Sequence, residues 1–287
     1  MGNIALKTQR LNTYKDLAFL MFKVKVFRVL AGLHDKMLNG ECNLKGCILL
    51  LLALLSGCST STRDAASEPE QTFAGLRDGV LVYQGVITQD ANNSLFAAYE
   101  GASEKPTRLV ISSKGGEIGV GMALGNWVAQ QQLEVQVGVV CASACANYVF
   151  PAGKTKYLAK DSVLMWHGSA WQQEWDISAE HKAMFDVYLN TMRQQETAFY
   201  ARIGVDNALS VYGQNAVTFW DLVTSLFGKS TIGYDYSLDD MARFGITNIV
   251  LLDDEWDWRK YRTEKQHLVK RVPLNDDFSF TLHRFAI

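Results

Sequence analysis

Between residues 109 and 169, three apolar runs each stop on residues that carry chemistry. Residues 109–111 (Leu-Val-Ile) lead into Ser112, Ser113, Lys114 and the pair Gly115-Gly116. Residues 135–140 lead into Cys141-Ala142-Ser143-Ala144-Cys145, and residues 162–166 into His167-Gly168-Ser169. A helix-like segment, 117–131, joins the first run to the second. Alternation of short apolar runs with helical patterns predicts an α/β fold, and in such folds chemistry collects at the strand ends.

Each residue type fits one task. A serine hydroxyl is a poor nucleophile until a base takes its proton, and a neutral histidine does so near pH 7. The small residues around Ser143 permit close approach of backbone and substrate. A Gly-Gly turn can aim a backbone N–H at a developing oxyanion. A lone serine at a strand–helix turn is more often an N-cap. The reading therefore rests on three features in one order.

The segments "LVISSKGGEIGVGMALGNWV" and "GVVCASACANYVFPAGKTKYLAKDSVLMWHGS" resemble two blocks of the ClpP/crotonase superfamily. The likeness is to the Clp protease proteolytic subunit and its secreted and periplasmic homologues. The first resembles that family's strand, Ser-Pro-Gly-Gly turn and helix, with Lys114 in place of the proline. The second resembles the block carrying nucleophile and base. The resemblance runs from about residue 81 to about residue 252. It implies one domain built as a ClpP/crotonase-like spiral of β-β-α units. It implies Ser143 as nucleophile, His167 as general base, and the N–H groups of Gly116 and Ala144 as the oxyanion hole. In the family an acidic residue completes the triad just before the final helix. Here Gly233 falls at that slot, so Asp235, the nearest carboxylate, is the expected third member, with a dyad or Thr231 as alternatives. No metal or other cofactor is implied. Relatives form rings or smaller assemblies, which implies a homo-oligomer.

The chain of 287 residues is long enough to bury a sizeable core. Its formal net charge of −2 is unevenly spread. Residues 1–57 carry 8 Lys and Arg against 3 Asp and Glu, and the remainder 20 against 27. An acidic domain argues against nucleic acid as a partner. Residues 1–57 read as a signal region; within it the basic, partly apolar residues 1–36 read either as a membrane-surface helix or, the preferred reading, as lying upstream of a true start at Met37. Lys45 is its charged flank and residues 48–55 an apolar core of eight residues, too short to span a bilayer. Leu55-Ser56-Gly57-Cys58 resembles a bacterial lipobox, which implies lipidation of Cys58 and a bacterial cell-envelope location. Ser59 resembles sorting to the outer membrane, facing the periplasm. Residues 58–77 read as a polar tether, 78–252 as the ClpP-like domain and 253–287 as a C-terminal extension.

Within the domain, residues 79–87 read as a strand and turn and 92–101 as a helix. A long helix is predicted from Ser178 to near Gly204. Ser237 caps another helix, with Gly245 as its stop and 246–252 as a strand. Trp171 and Trp175 fall in a loop after the base, where aromatics pack a core or line a cleft. Trp256 and Trp258 read as aromatics of the extension packed on the domain, with a partner- or membrane-contacting tail as the alternative. Cys141 and Cys145 flank Ser143. In an exported chain they read equally as a disulfide or as two small buried thiols.

These readings converge on an exported serine peptidase-like hydrolase that cleaves peptide bonds in a peptide or protein substrate. The alternatives are a non-catalytic ClpP-like binding or scaffold lipoprotein, and crotonase-type acyl chemistry, which sits badly with export. The lipobox makes its own prediction. Metabolic labelling with a palmitate analogue should mark the wild-type protein and not Cys58→Ala; equal labelling of both would remove the anchor.

Overall fold

Alternation of side chains builds the sheet. In β2 (Val80–Gln84), Leu81 and Tyr83 are buried, and in β3 (Arg108–Ser113) Leu109, Ile111 and Ser113 are. The computed structural model describes residues 72–172, 175, 177–216 and 230–281. These belong to one compact unit, Pro69–Ile287. The expected signal region, Met37, the lipobox with Cys58, and the tether as far as residue 71 lie outside the described residues.

The chain opens with an antiparallel hairpin of β1 (Phe73–Arg77) and β2. Helix α1 (Gln89–Gly101) follows, its first turn capped by Thr88, whose side chain accepts from the Ala91 N–H. After β3, helix α2 (Ile118–Gln130) leads to β4 (Glu134–Ala142). A π-helical turn, Cys145–Val149, runs into a short helix α3 (Phe150–Ala152). Strands β5 (Lys156–Leu158) and β6 (Val163–Met165) precede the long helix α4 (Lys182–Ile203). The remainder contributes β7 (Gly233–Asp235), α5 (Leu238–Arg243), β8 (Ile249–Leu251), α6 (Trp258–Tyr261) and β9 (Val269–Arg271).

The main sheet has the order β1-β2-β3-β4-β5-β8, with β6 also paired to β4. Apart from the first hairpin its pairings are parallel. Strand β4 changes partner along its length: residues 135–137 pair with β5 and residues 140–142 with β6. Such a break leaves backbone groups that must find other partners. Two serines supply them. Ser162 is fully buried, and its hydroxyl lies 3.0 and 2.9 Å from the Val137 and Gly138 carbonyls. On the other side the Val139 N–H donates to Ser112 Oγ at 2.9 Å, where the β3–β4 register shifts. The upper half of β4 is thereby freed to run beside β6.

Several boundaries differ from expectation. The domain begins at or before Phe73 rather than at residue 78, because β1 is part of the sheet. Asp78 and Gly79 form the two-residue hairpin turn, with φ of 52° and 76°. Asp-Gly is a strong sequence signal for such a turn, one that the reading of residues 58–77 as a tether leaves unused. The extension is integral to the fold. Strand β9 pairs in parallel with β7, and Trp256 and Trp258 are buried as expected. Helix α4 starts at Lys182, four residues after Ser178, and stops at Gly204 in the left-handed conformation. Among the described residues no helix is long and apolar enough to cross a membrane.

Helix α2 lies against the π-helical turn through glycines. A Cβ on Gly121 would fall 2.7 Å from Ala144 Cβ, and one on Gly125 would fall 2.4 Å from the Tyr148 carbonyl oxygen. Gly125→Val should therefore push α2 away from residues 144–148 and destabilise the domain by about 1–3 kcal/mol. Urea unfolding of the two proteins measures it.

Candidate active site

Strands β4 and β6 bring Ser143 and His167 to one place. Their register pairs Ala142 with Met165, and the Ser143 N–H donates to the Met165 carbonyl at 3.0 Å. Ser143 thus leaves β4 just where Trp166 and His167 leave β6, on strands about 5 Å apart. Ser143 has φ of 55°. The left-handed region is uncommon for a residue with a Cβ, and it persists only where the surroundings dictate it. Here they do so from both sides. A disulfide joins Cys141 in β4 to Cys145 in the π-helical turn, with a Cα–Cα distance of 5.2 Å, and so brackets Ser143. The Asn147 N–H then donates to the Ser143 carbonyl at 2.8 Å and starts the helical turn.

Gly115 closes the other side. It has φ of 98°, and a Cβ there would fall 2.6 Å from Ser143 Cβ and 2.9 Å from Ala144 N. The Gly-Gly turn therefore abuts the serine turn through Gly115. Gly116, the expected oxyanion donor, bridges to Ile87, and a Cβ on it would fall 2.1 Å from the Ile87 carbonyl oxygen. Ala144, the second expected donor, is the residue just after the serine and opens the helical turn. Ser113 is buried and accepts from the Gly115 N–H at 3.0 Å, which fixes the turn.

His167 is half-buried, and burial holds its imidazole below the ordinary histidine value. The ring is therefore neutral at neutral pH and able to take a proton. No hydrogen bond joins it to the Ser143 hydroxyl among the described residues; catalytic pairs in empty sites are often longer than bonding distance. The segment after it is firmly held. Gln214 donates to the His167 carbonyl at 3.0 Å, and Asn147 to the Gly168 carbonyl at 2.8 Å. Asn147 thereby links the turn after the nucleophile to the segment after the base. From α4, Arg193 Nε donates to the Ala170 carbonyl at 3.0 Å, and Glu196 accepts from the Ala170 N–H at 3.0 Å.

Glu196 is fully buried, and burial pushes its carboxyl up to about 7. Ser210 lies beside it and donates to Ser169 Oγ at 2.9 Å. In the sequence Glu196 is inconspicuous. Its one signal was a carboxylate at a position of α4 that the helical period turns inward with Leu189, Met192, Phe199 and Tyr200. Ser169 is committed to this buried network, away from any nucleophilic part. Trp171 stacks against Arg193, with the guanidinium 5.2 Å from the ring centre, and Trp175 packs edge-on against Phe185.

Asp235 does not join the site. Tyr234 pairs with Trp166 in an antiparallel bridge, so β7 runs beside the base, and Gly233 is the residue that register sets next to His167. Asp235 lies the other way, fully buried, with both oxygens taken by arginines. Arg259 makes a bidentate pair with it at 2.9 Å, Arg271 Nε lies at 2.7 Å, and Trp258 Nε1 donates at 2.9 Å. The expectation that Asp235 orients His167 is corrected accordingly: its charge is spent on the C-terminal segment. Thr231 does not orient the ring either; its hydroxyl donates to the His267 carbonyl at 3.3 Å.

Among the described residues no group of three or more His, Cys, Asp or Glu is arranged to hold a metal ion. No model of a known protein family matches this chain, and no curated protein matches it.

Asp235→Ala would strand the Arg259 and Arg271 guanidiniums around an empty buried position. Both guanidiniums keep solvent contact, at 20% and 37% exposure, so the loss should be about 1–3 kcal/mol rather than that of a fully buried pair. Chemical unfolding should show that loss, and a change well under 1 kcal/mol would mean that solvent already screens the arginines.

Proposed function

We propose that this domain is a serine hydrolase of peptidase type, with Ser143 as nucleophile and His167 as base. The observation that carries the reading is the backbone at Ser143. A left-handed serine stands between a parallel strand and a helical turn, beside a strand end that presents a neutral histidine. An N-cap serine has an extended backbone, as Ser237 does with ψ of 164°, so a capping role does not account for Ser143.

In this reading Ser143 Oγ attacks the carbonyl carbon of a peptide substrate while His167 takes its proton. The carbonyl oxygen becomes an oxyanion that the N–H groups of Gly116 and Ala144 stabilise, the Gly115 N–H being held by Ser113. The intermediate collapses with proton return from imidazolium to the leaving amine, leaving an acyl-serine. Water, deprotonated by His167, then releases the acid and regenerates the hydroxyl. The pair works as a dyad, because the carboxylate expected as third member serves elsewhere.

The finer architecture we propose is the ClpP/crotonase-like spiral, supported by the order of Gly-Gly turn, serine and histidine on successive strand ends. The cellular setting we propose is a lipid-anchored protein of the bacterial cell envelope, attached to the membrane through Cys58 and assembled as a homo-oligomer, supported by the lipobox-like residues and the family resemblance. A second reading, a non-catalytic binding or scaffold module, is favoured by one observation: among the described residues no hydrogen bond joins the Ser143 hydroxyl to the His167 ring.

Labelling with a serine-reactive fluorophosphonate separates the two. Wild type should label, Ser143→Ala should not, and His167→Ala should label at least about a hundredfold more slowly. Absence of wild-type labelling in every oligomeric fraction would leave the binding module.

A further inference from the structure

The segment 167–171 after the base makes no regular strand or helix, yet each of its first four residues is tied down. The ties to His167 and Gly168 use their carbonyls only. Ser169 is held through its hydroxyl, by Ser210. Ala170 alone is gripped at both ends of its backbone, N–H by Glu196 and C=O by Arg193. The two side chains stand three positions apart, which puts them on one face of α4. Placing a carboxylate in an apolar core costs several kcal/mol unless its bonds are made good. A core that needed only packing would carry a leucine here. Ala170 is fully buried and Ser169 nearly so, so water does not stand in for either bond.

We propose that Arg193 and Glu196 are positioning residues for His167: clasping the Ala170 peptide from α4, they set where the imidazole sits beside Ser143. The proposal rests on His167 acting as the base of Ser143. The lever is short, since His167 is three residues from Ala170 and the intervening carbonyl of Gly168 is bonded to Asn147. Gln214 and Asn147 hold the carbonyls in between, so Ala170 sets the position of the base jointly with those two anchors. Other titratable groups face Glu196. Tyr148 from the π-helical turn and Tyr200 from α4 border it, and burial holds both phenols above the ordinary value, so they stay neutral. The carboxylate is thus the group whose charge changes in this cluster around neutral pH.

The test reads the histidine itself. In the intact protein, the ring C–H resonance of His167 is assigned by its loss in His167→Ala. Glu196→Leu removes one half of the clasp and Arg193→Met, at a half-exposed position, the other. Both should displace or split that resonance, and both should slow fluorophosphonate labelling about ten- to a hundredfold. Glu196→Gln keeps an acceptor for the Ala170 N–H and should restore the wild-type resonance. A folded Arg193→Met protein with the wild-type resonance and rate would overturn the proposal. So would a Glu196→Gln resonance displaced as far as that of Glu196→Leu, because the effect would then be charge rather than the clasp. Should Glu196→Leu fail to fold, the other two variants carry the test. The resonance needs no activity to be seen. If wild type never labels while the variants move the peak, the hydrolase reading fails and the clasp stands.

Discussion

The left-handed backbone at Ser143 is the constraint on which the rest of this structure depends. A residue with a Cβ is held there only if several neighbours agree, and each neighbour uses a different kind of contact. The disulfide ties the strand before the serine to the turn after it. The parallel pairing with β6 fixes the serine N–H. Gly115 presses its backbone against the serine from β3, a fit that only a residue without a Cβ allows. Helix α2 can then pack on the turn because Gly121 and Gly125 face it. Removing one contact leaves the others to bear the geometry, which is the sense in which a strained residue is over-determined.

The sheet is built to deliver β4 and β6 to that point. A continuous β4–β5 pairing would have left the end of β4 without a parallel neighbour carrying the histidine. The change of partner at residues 138–139 makes room for β6, and Ser162 and Ser112 absorb the backbone groups it exposes. Hydroxyls suit this task because each can donate or accept as the local backbone requires. Three sets of polar residues thus serve three purposes. Ser112 and Ser162 repair the sheet. Glu196, Ser169 and Ser210 hold the segment behind the base. Asp235 with Arg259 and Arg271 holds the C-terminal segment against β7.

That last cluster shows what proximity in sequence can mislead about. Asp235 is two residues from Gly233, which register does set next to His167, and in a strand two residues is a return to the same face. Yet along β7 it is also a step of more than 6 Å away from the ring. Two arginines from the extension then claim it. Nothing in residues 233–235 alone announces that Arg259 and Arg271 fold back over them.

Local chemistry in the sequence determined the alternation of strands and helices, and the order of Gly-Gly turn, serine and histidine. The Asp78-Gly79 turn needs only positive φ at two adjacent residues and so has a local signal too, but its first strand reads as tether until β2 pairs with it. These features depend on neighbours within a few positions, so period and residue type suffice to see them. Which carboxylate serves which partner was decided only by the tertiary structure. Glu196 is brought behind the base and Asp235 is drawn away from it by contacts across 24–36 positions of chain. The partner change of β4 belongs to the same class, because it depends on where β5 and β6 dock rather than on any residue of β4. A buried charge is stable only where its counterparts meet it, and that meeting point is a property of the folded chain.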